Sequence, residues 1–575
     1  METAINERVN RWLEGTYDEE TQTAIRRMQA NSPEELSDAF YKDLEFGTGG
    51  LRGIMGVGTN RMNKYTVAMA TQGLANYLKQ QFSTEVQKVV IAYDSRNNSA
   101  YFSEITADVL SANGVKVYVF DTITPTPELS FAIRHLHCHS GIVITASHNP
   151  KEYNGYKVYW QDGGQLVAPH DHRIIAEVKK ITRFEEVRFE RKAENVSYIG
   201  EEVHQVYIER VKALSMHPEI IRKQHDLKIV YTPLHGTGVY LVPRALRAFG
   251  FSDVSLVEAQ AVPDGNFSTV VSPNPEEIAA MSMAIEEAKE RNADIVLATD
   301  PDADRIGLAV KKKDQDYELL NGNMTLTLLI YYMLKEWKKK GKINGRQFVV
   351  KTIVTTELVR DIAQKEGVAC YDVLTGFKFI AEKILHYEGE KEFIAGGEES
   401  FGCLVGDFVR DKDAVISCSI LAEMAAWAKE QGKTLYDVLI DIYMEYGLYK
   451  EHLISITKKG QQGSQEIKRM MQSYRSEPPK EINGSKVIRI DDILLLQSFD
   501  CRNNHKKSIH DLPQSDVLQF FLADGSKITV RPSGTEPKIK FYFSVKENLV
   551  NRNQFDAMHQ KLTNKINNII QSMKL

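Results

Sequence analysis

The 575-residue sequence is short of cysteine, of proline, of long apolar runs and of net charge, and each shortage removes a class of protein. Its five cysteines (Cys138, Cys370, Cys403, Cys418, Cys501) are odd in number, widely spaced and never in a CxxC pair. That excludes a disulfide framework and argues against a structural zinc cluster. Only 17 prolines, with 42% hydrophobic and 26% charged residues, exclude a disordered or collagen-like chain. No window reaches the roughly eighteen apolar residues of a membrane span, and METAINERVNRWLEG lacks the apolar core of a secretory leader. A cytoplasmic chain away from membranes is expected. Against 72 basic residues stand 77 acidic ones, a net charge of −5, so no global cationic field exists for nucleic acid or an anionic bilayer. A phosphate-bearing ligand must be held by local features, and no obligate protein partner is evident.

What is present is repetition. At about 150 residues per domain the length predicts roughly four domains. KVVIAYDSR (88–96) is followed by GIVITASHNP (141–150), KIVYTPLHG (228–236) by DIVLATDPDADR (294–305), and QFVVKTIVT (347–355) by EFIAGGEESFG (392–402). Each is a short β-rich apolar run that stops in a polar loop. Segments of helical spacing lie between, such as Ile278, Met281, Ile285 and Ala288. The pattern predicts three similar α/β domains with mixed, largely parallel sheets, their loops gathered at the carboxyl ends of the strands. After about residue 450 the texture turns polar and weakly patterned (KKGQQGSQEIKRMMQSYRSEPPKEINGSK), and KIKFYFSV (538–545) then alternates strictly. A period of two predicts a half-buried antiparallel strand, hence a C-terminal α+β domain with an antiparallel sheet. A closing amphipathic helix is predicted from Phe555, Met558, Leu562, Ile566, Ile569 and Met573. The expected boundaries are 1–207, 208–322, 323–450 and 451–575.

Four loops carry chemistry. In TDPDADR, Asp300, Asp302 and Asp304 alternate directly after a buried strand. Two such charges about 5 Å apart repel by roughly 3 kcal/mol at an effective dielectric of 20. A cation relieves this, and oxygen-only ligation favours Mg²⁺; the competing reading is an acidic turn neutralised by Arg305 and water. In TASHNP, Ser147 stands at a strand tip before His148, either as a nucleophile or as a turn-forming hydroxyl, and without the G-x-S-x-G elbow of hydrolases. RPSGTEPK collects Arg531, Ser533, Gly534 and Thr535 into a compact anion cradle. GEES offers Glu398 and Ser400, a polar pair suited to sugar hydroxyls, which alone is a weak signal.

Jointly and in this order, TASHNP, TDPDADR, GEES and RPSGTEP resemble the phosphoserine, magnesium, sugar-binding and phosphate-binding loops of the α-D-phosphohexomutase family, one per domain around a central cleft. The resemblance covers nearly the whole chain. It extends to LRG, TGFKFI and RDKDA, which makes Arg52, Thr375, Gly376, Lys378 and Lys412 substrate-contact candidates by carry-over alone. It also implies that Lys157 in YNGYK shuttles protons. One position departs from the members that also accept mannose: their GExSGH motif has a histidine where this chain has Gly402. This variant resembles the glucose-preferring members, in which a lysine like Lys412 lies nearby.

The resemblance implies an isomerase that works by two phosphoryl transfers on a hexose phosphate. Ser147 rests as phosphoserine, with Mg²⁺ between it and Asp300, Asp302 and Asp304, and glucose 1,6-bisphosphate is the activating intermediate. Ser147, His148, Lys157 and Lys412 are the implied catalytic groups. Arg305 stands near the transferring phosphate, and Arg531 grips the non-reacting one. Mannose, glucosamine and pentose phosphates stay open as substrates.

Overall fold

A computed structural model describes residues 2–47, 50–458, 460–533 and 538–575. The chain forms two compact units, one of residues 1–321, 381–388 and 400–432, the other of residues 322–380, 389–399 and 433–575.

The first unit holds two mixed sheets. In the first, the strand order is Gly50–Ile54, Tyr153–Trp160, Ser140–Ile144, Lys88–Tyr93, Lys116–Phe120, Val196–Ile199. Lys88–Tyr93 runs parallel to Ser140–Ile144, with Ile91 opposite Ile142 and Tyr93 opposite Ile144. The loops that leave these two strands therefore emerge side by side. Ser140–Ile144 is buried at every position, as expected of a strand with covered faces. Tyr153–Trp160 then returns antiparallel and sets Lys157 opposite Val143. The second sheet repeats the plan: Ile229–Thr232 is parallel to Ile295–Thr299, and Ile306–Lys311 returns antiparallel from Thr299. Helices Lys64–Gln81 and Ser99–Ala112 bury Leu74, Leu78, Phe102 and Val109 against the first sheet's Val89, Ile91 and Val117. Each such side chain contributes about 1.5–3 kcal/mol of burial. Helices Glu2–Glu14, Glu19–Asn31 and Pro33–Phe40 precede this sheet, with Trp12 stacked on Tyr17 at 4.4 Å between ring centroids.

In the second unit Gln347–Thr352 lies parallel to Ala369–Val373 and Glu392–Gly397. All three strand pairs read from the sequence are thus adjacent parallel neighbours. The C-terminal sheet is antiparallel throughout its order Leu448–Thr457, Lys538–Glu547, Lys527–Pro532, Leu518–Leu522, Ser485–Asp492, Gln497–Asp500, His505–Ser508. Ile539, Phe541, Phe543 and Val545 are buried together as their alternation requires, and helix Phe555–Ser572 buries Leu562, Ile566 and Ile569.

Two local readings change. The polar stretch after residue 458 contains a long helix, Gly460–Ser476. Its inward stripe is narrow, with Ile467 and Met471 the buried apolar residues, so the periodicity is faint against the polar majority. Helix Ile278–Arg291 forms as expected but packs on Ala280, Met281, Ala284 and Ala288, while Ile278 is 73% exposed. Small alanines supply the close-packed face, and the larger apolar residue at the helix start stays in solvent.

Candidate active site

The first unit brings Ser147 and the three aspartates together. Ser147 stands at φ 52°, in the left-handed region, at the end of Ser140–Ile144. Its N–H donates to Thr145 Oγ1 at 2.9 Å and its hydroxyl donates to Asp300 Oδ2 at 2.7 Å. One carboxylate oxygen from each of Asp300, Asp302 and Asp304 falls within 4.8 Å of the others, and all three residues are buried.

The two oxygens of each carboxylate have different surroundings. Asp302 Oδ2 accepts from Lys157 Nζ at 2.8 Å and Thr126 Oγ1 at 3.0 Å, whereas its Oδ1 is buried without a hydrogen-bond partner. Asp304 Oδ2 pairs with Lys412 Nζ at 2.9 Å and Lys157 Nζ at 3.6 Å, and its Oδ1 is likewise buried and unsatisfied. Asp300 Oδ1 accepts the N–H groups of Asp304 and Arg305, at 3.2 and 3.0 Å, and Oδ2 faces Ser147. Asp302 and Asp304 thus each hold one oxygen by donors and leave the other unsatisfied, whereas Asp300 accepts bonds on both. An orphaned buried carboxylate oxygen is costly; two of them, in a cluster of three carboxylates within 4.8 Å of one another, fit a hard divalent cation with oxygen ligands. Burial and the two neighbouring carboxylates raise the Asp300 carboxyl well above its ordinary range. Burial also disfavours charge on Asp302, but Lys157 outweighs it and holds that carboxyl low.

Around this point stand the remaining candidates of the unit. Lys412 reaches Asp304 and also Asp411 Oδ1 at 3.1 Å; Asp411 Oδ2 in turn accepts from Tyr159 at 2.6 Å. Gly402 makes this reach feasible. A Cβ there would stand 2.1 Å from Lys412 Cδ, so this lysine and a side chain at 402 exclude each other. Arg305 donates through Nη1 to Glu276 at 2.5 Å. His148 Nδ1 is 3.3 Å from Ser147 Oγ, and burial, then Arg305 and Arg52, push the imidazole down to about 2, so it is neutral near pH 7. Arg52 Nη1 donates to Asn149 Oδ1 at 3.1 Å. Ser400 is half-buried, and the next carbonyl, of Phe401, accepts the Ile306 N–H at 3.0 Å beside the aspartate loop.

The second unit holds another group. Glu398 Oε1 accepts the N–H of Gly376 at 2.8 Å, which ties the loop bearing Thr375, Gly376 and Lys378 to the sugar-type loop. Glu399 Oε2 accepts from Thr352 and Thr355 at 3.1 and 3.3 Å. Arg531, on strand Lys527–Pro532, hydrogen-bonds Tyr542, whose hydroxyl proton is held more tightly than usual by burial and by Glu399. The Ser533 N–H donates to Lys538 O at 2.7 Å. Gly534 and Thr535 lie outside the described residues.

Several groups escaped the sequence reading. Thr126 bonds Asp302, Glu276 bonds Arg305, Asp411 and Tyr159 hold Lys412, and Tyr542 stands beside Arg531. Most come from segments remote in sequence from the residue they support, which no motif window joins. Asp94 and Arg96 also escaped it: YDSR leaves a strand whose parallel neighbour carries Ser147, a pairing that the sequence does not print.

Residues 43–185, 205–313 and 321–446 match, in turn, the alpha/beta/alpha domains I, II and III of phosphoglucomutase/phosphomannomutase. The chain belongs to the phosphoglucomutase/phosphomannomutase family. Among relatives of this family, a Staphylococcus aureus phosphoglucomutase is 40% identical over 512 residues, 89% of this chain and 91% of the relative. A Staphylococcus epidermidis phosphoglucomutase is 39% identical over 539 residues, 93% and 96% of the two chains. The fold is shared with the open form of Paramecium pp63/parafusin, a phosphoglucomutase, at TM-score 0.68 and 17% identity, covering 92% of this chain and 96% of that one. It is shared also with a Burkholderia thailandensis family member at TM-score 0.65 and 20% identity, over 92% and 97%. No helix among the described residues is long and apolar enough to cross a membrane.

Proposed function

We propose that the chain is a phosphoglucomutase that interconverts α-D-glucose 1-phosphate and glucose 6-phosphate through a phosphoserine at Ser147 and glucose 1,6-bisphosphate. The observation that carries this reading is the 2.7 Å bond from Ser147 to Asp300 within a cluster of three buried carboxylates, two of which leave an oxygen unsatisfied. The proposed assignment is one loop per segment: Ser147 in 1–207, the aspartates in 208–322, the sugar-contact loop in 323–450 and the phosphate cradle in 451–575.

Charge decides what the aspartate loop is for. When all three aspartates are ionised they exceed their partners Lys157 and Lys412 by one negative charge, and a phosphoserine adds about −1.5 to −2. Ser147, Asp300, Asp302 and Asp304 would hold a hard dication, Mg²⁺ by ligand chemistry, which would neutralise charge on the transferring phosphate. The rest is positioning by the protein. A sugar hydroxyl attacks phosphorus, the bond from phosphorus to Ser147 Oγ breaks, and the hydroxyl proton is relayed to the freed Oγ, which restores the serine. Lys157 and Lys412 are the proposed proton carriers at the two ends of the exchange, and Arg305 accompanies the phosphate. Neutral His148 serves as a hydrogen-bond partner of Oγ. The bisphosphate then presents its other phosphate, and the same bonds form and break in reverse at Ser147. Arg531, Ser533, Gly534 and Thr535 are proposed to hold the phosphate that is not reacting, with Arg52, Thr375, Gly376, Lys378, Glu398 and Ser400 on the sugar. Coupled assays with glucose, mannose and ribose 1-phosphates test this: turnover highest on glucose 1-phosphate and dependent on the bisphosphate supports it, and preference for mannose or ribose reassigns the sugar.

A further inference from the structure

Arg96 is the most fully engaged side chain near Ser147, and the reaction as described does not use it. It leaves strand Lys88–Tyr93 beside the serine loop, and its guanidinium is fully buried. Nη2 donates to the carbonyl of Ser147 at 2.5 Å and to that of Asn149; Nη1 donates to the carbonyls of Pro150 and Tyr153 at 2.9 and 3.1 Å. A guanidinium has five N–H groups, and here four go to the backbone of one loop. The fifth, on Nε, faces Asp94 Oδ2 at 3.3 Å. Asp94 is itself fixed through Oδ1 by the Arg96 N–H at 2.9 Å and Ser99 Oγ at 2.6 Å.

The open face of the guanidinium is closed by Phe267, 4.9 Å from ring centroid to Cζ. Phe267 arrives on a loop held against the Arg96 turn: a Cβ on Gly265 would stand 2.4 Å from Asn97 N, and Asn97 Nδ2 donates to Asn266 at 3.1 Å. Two segments thus converge on one cation whose side-chain hydrogen bonds all go to carbonyl groups.

Phosphorylation gives that work a purpose. In the free enzyme the Ser147 hydroxyl ties the loop to Asp300. Once Oγ carries phosphate it has no proton to donate, and the added charge of about −1.5 to −2 is repelled by Asp300. The left-handed backbone at Ser147 (φ 52°) is a conformation that non-glycine residues hold only where surrounding structure enforces it. The Ser147-to-Asp300 bond is lost on phosphorylation, whereas the four carbonyl bonds to Arg96 are not. We propose that Arg96 is the positioning residue that keeps Ser147 in transfer geometry in the phosphorylated enzyme, with Asp94 and Phe267 holding Arg96. This rests on Ser147 being the phosphoryl carrier.

The test uses full-length wild type, Arg96→Lys and Phe267→Leu, each phosphorylated with labelled glucose 1,6-bisphosphate and mixed with glucose 6-phosphate in a rapid-quench instrument. Misplacing a reacting group by about 1 Å costs on the order of a hundredfold in rate, so Arg96→Lys loses about that much in transfer from phosphoserine and Phe267→Leu about tenfold, with KM within about threefold of wild type. A merely structural role lowers the thermal midpoint but leaves the transfer rate per phosphorylated molecule unchanged, and that result overturns the proposal. If Arg96→Lys does not fold, the Phe267→Leu rate decides alone. Wild type that takes up no label on Ser147 overturns the carrier reading and this inference with it; normal labelling with normal variant rates overturns the inference alone.

Discussion

Lys157 Nζ lies 2.8 Å from Asp302 Oδ2, on the side of that carboxylate opposite its orphaned oxygen. One residue therefore does two things at once. It keeps Asp302 ionised in a buried place, and it occupies one oxygen while the other stays without a hydrogen-bond partner.

Removal of metal is the first consequence. Treatment with a chelator should abolish mutase turnover, and added Mg²⁺ should restore it. Asp302→Ala should stay folded by near-UV circular dichroism and lose activity by a factor on the order of 10²–10³ or more, as for loss of one preorganised charge partner. Undiminished turnover in excess chelator contradicts this.

Gly402 and Lys412 should behave as a pair. A Cβ at 402 meets the lysine stem at 2.1 Å, and the lysine, being the softer partner, moves. Gly402→Ala should cost about 1–3 kcal/mol or less in stability while lowering kcat nearly as far as Lys412→Met. The double variant should be no worse than Lys412→Met alone, because both remove one interaction. Additive losses contradict the pairing.

Stability should respond to pH through Asp413. Its carboxyl caps helix Ala414–Glu430, accepting from Ile416 N–H at 2.8 Å, and accepts from the Tyr207 hydroxyl at 2.7 Å, yet burial raises its pKa to about 7. A folded pKa above the unfolded value gives stability that is full below about pH 4 and is lost as pH rises through about 7. The wild type should therefore lose thermal stability between about pH 4 and 7 through this group, by on the order of 3–4 kcal/mol, and level off above that. Asp413→Asn keeps the cap acceptor and removes the charge, so its melting profile over that range should be flatter. A variant as steep as wild type contradicts the assignment.

Arg531 should matter to binding before chemistry. Losing a bidentate charge-assisted contact costs about 1.5–3 kcal/mol, so Arg531→Ala should raise KM for glucose 1-phosphate roughly ten- to two-hundredfold. Phosphoserine should also lose more phosphate to water during turnover. Unchanged KM and kcat would show that this strand end is an ordinary turn.

How much of this was legible in the sequence follows from how far each signal reaches along the chain. The three parallel strand pairs were readable because continuous apolar runs such as GIVIT and DIVLAT encode burial on both faces locally. The aspartate triad was readable because the alternation of Asp300, Asp302 and Asp304 lies within five residues. Arg52, Lys157 and Lys412 carry no local mark and entered only through family resemblance. Helix Gly460–Ser476 was missed because two buried apolar anchors, Ile467 and Met471, are too few to declare a period. Thr126, at a helix start, Tyr159 and Arg96 reach their partners in the site from segments distant in sequence, and such tertiary juxtapositions are contained in no window of sequence.

The central claim is that Ser147 carries the phosphate that moves. Intact-mass analysis of the purified protein after incubation with glucose 1,6-bisphosphate measures it directly, paired with mutase turnover of the same samples. The account predicts one added phosphate, mapped to Ser147 by peptide sequencing, that disappears together with activity in Ser147→Ala. Wild-type turnover by the Ser147→Ala protein, or phosphate found on another residue, would contradict it.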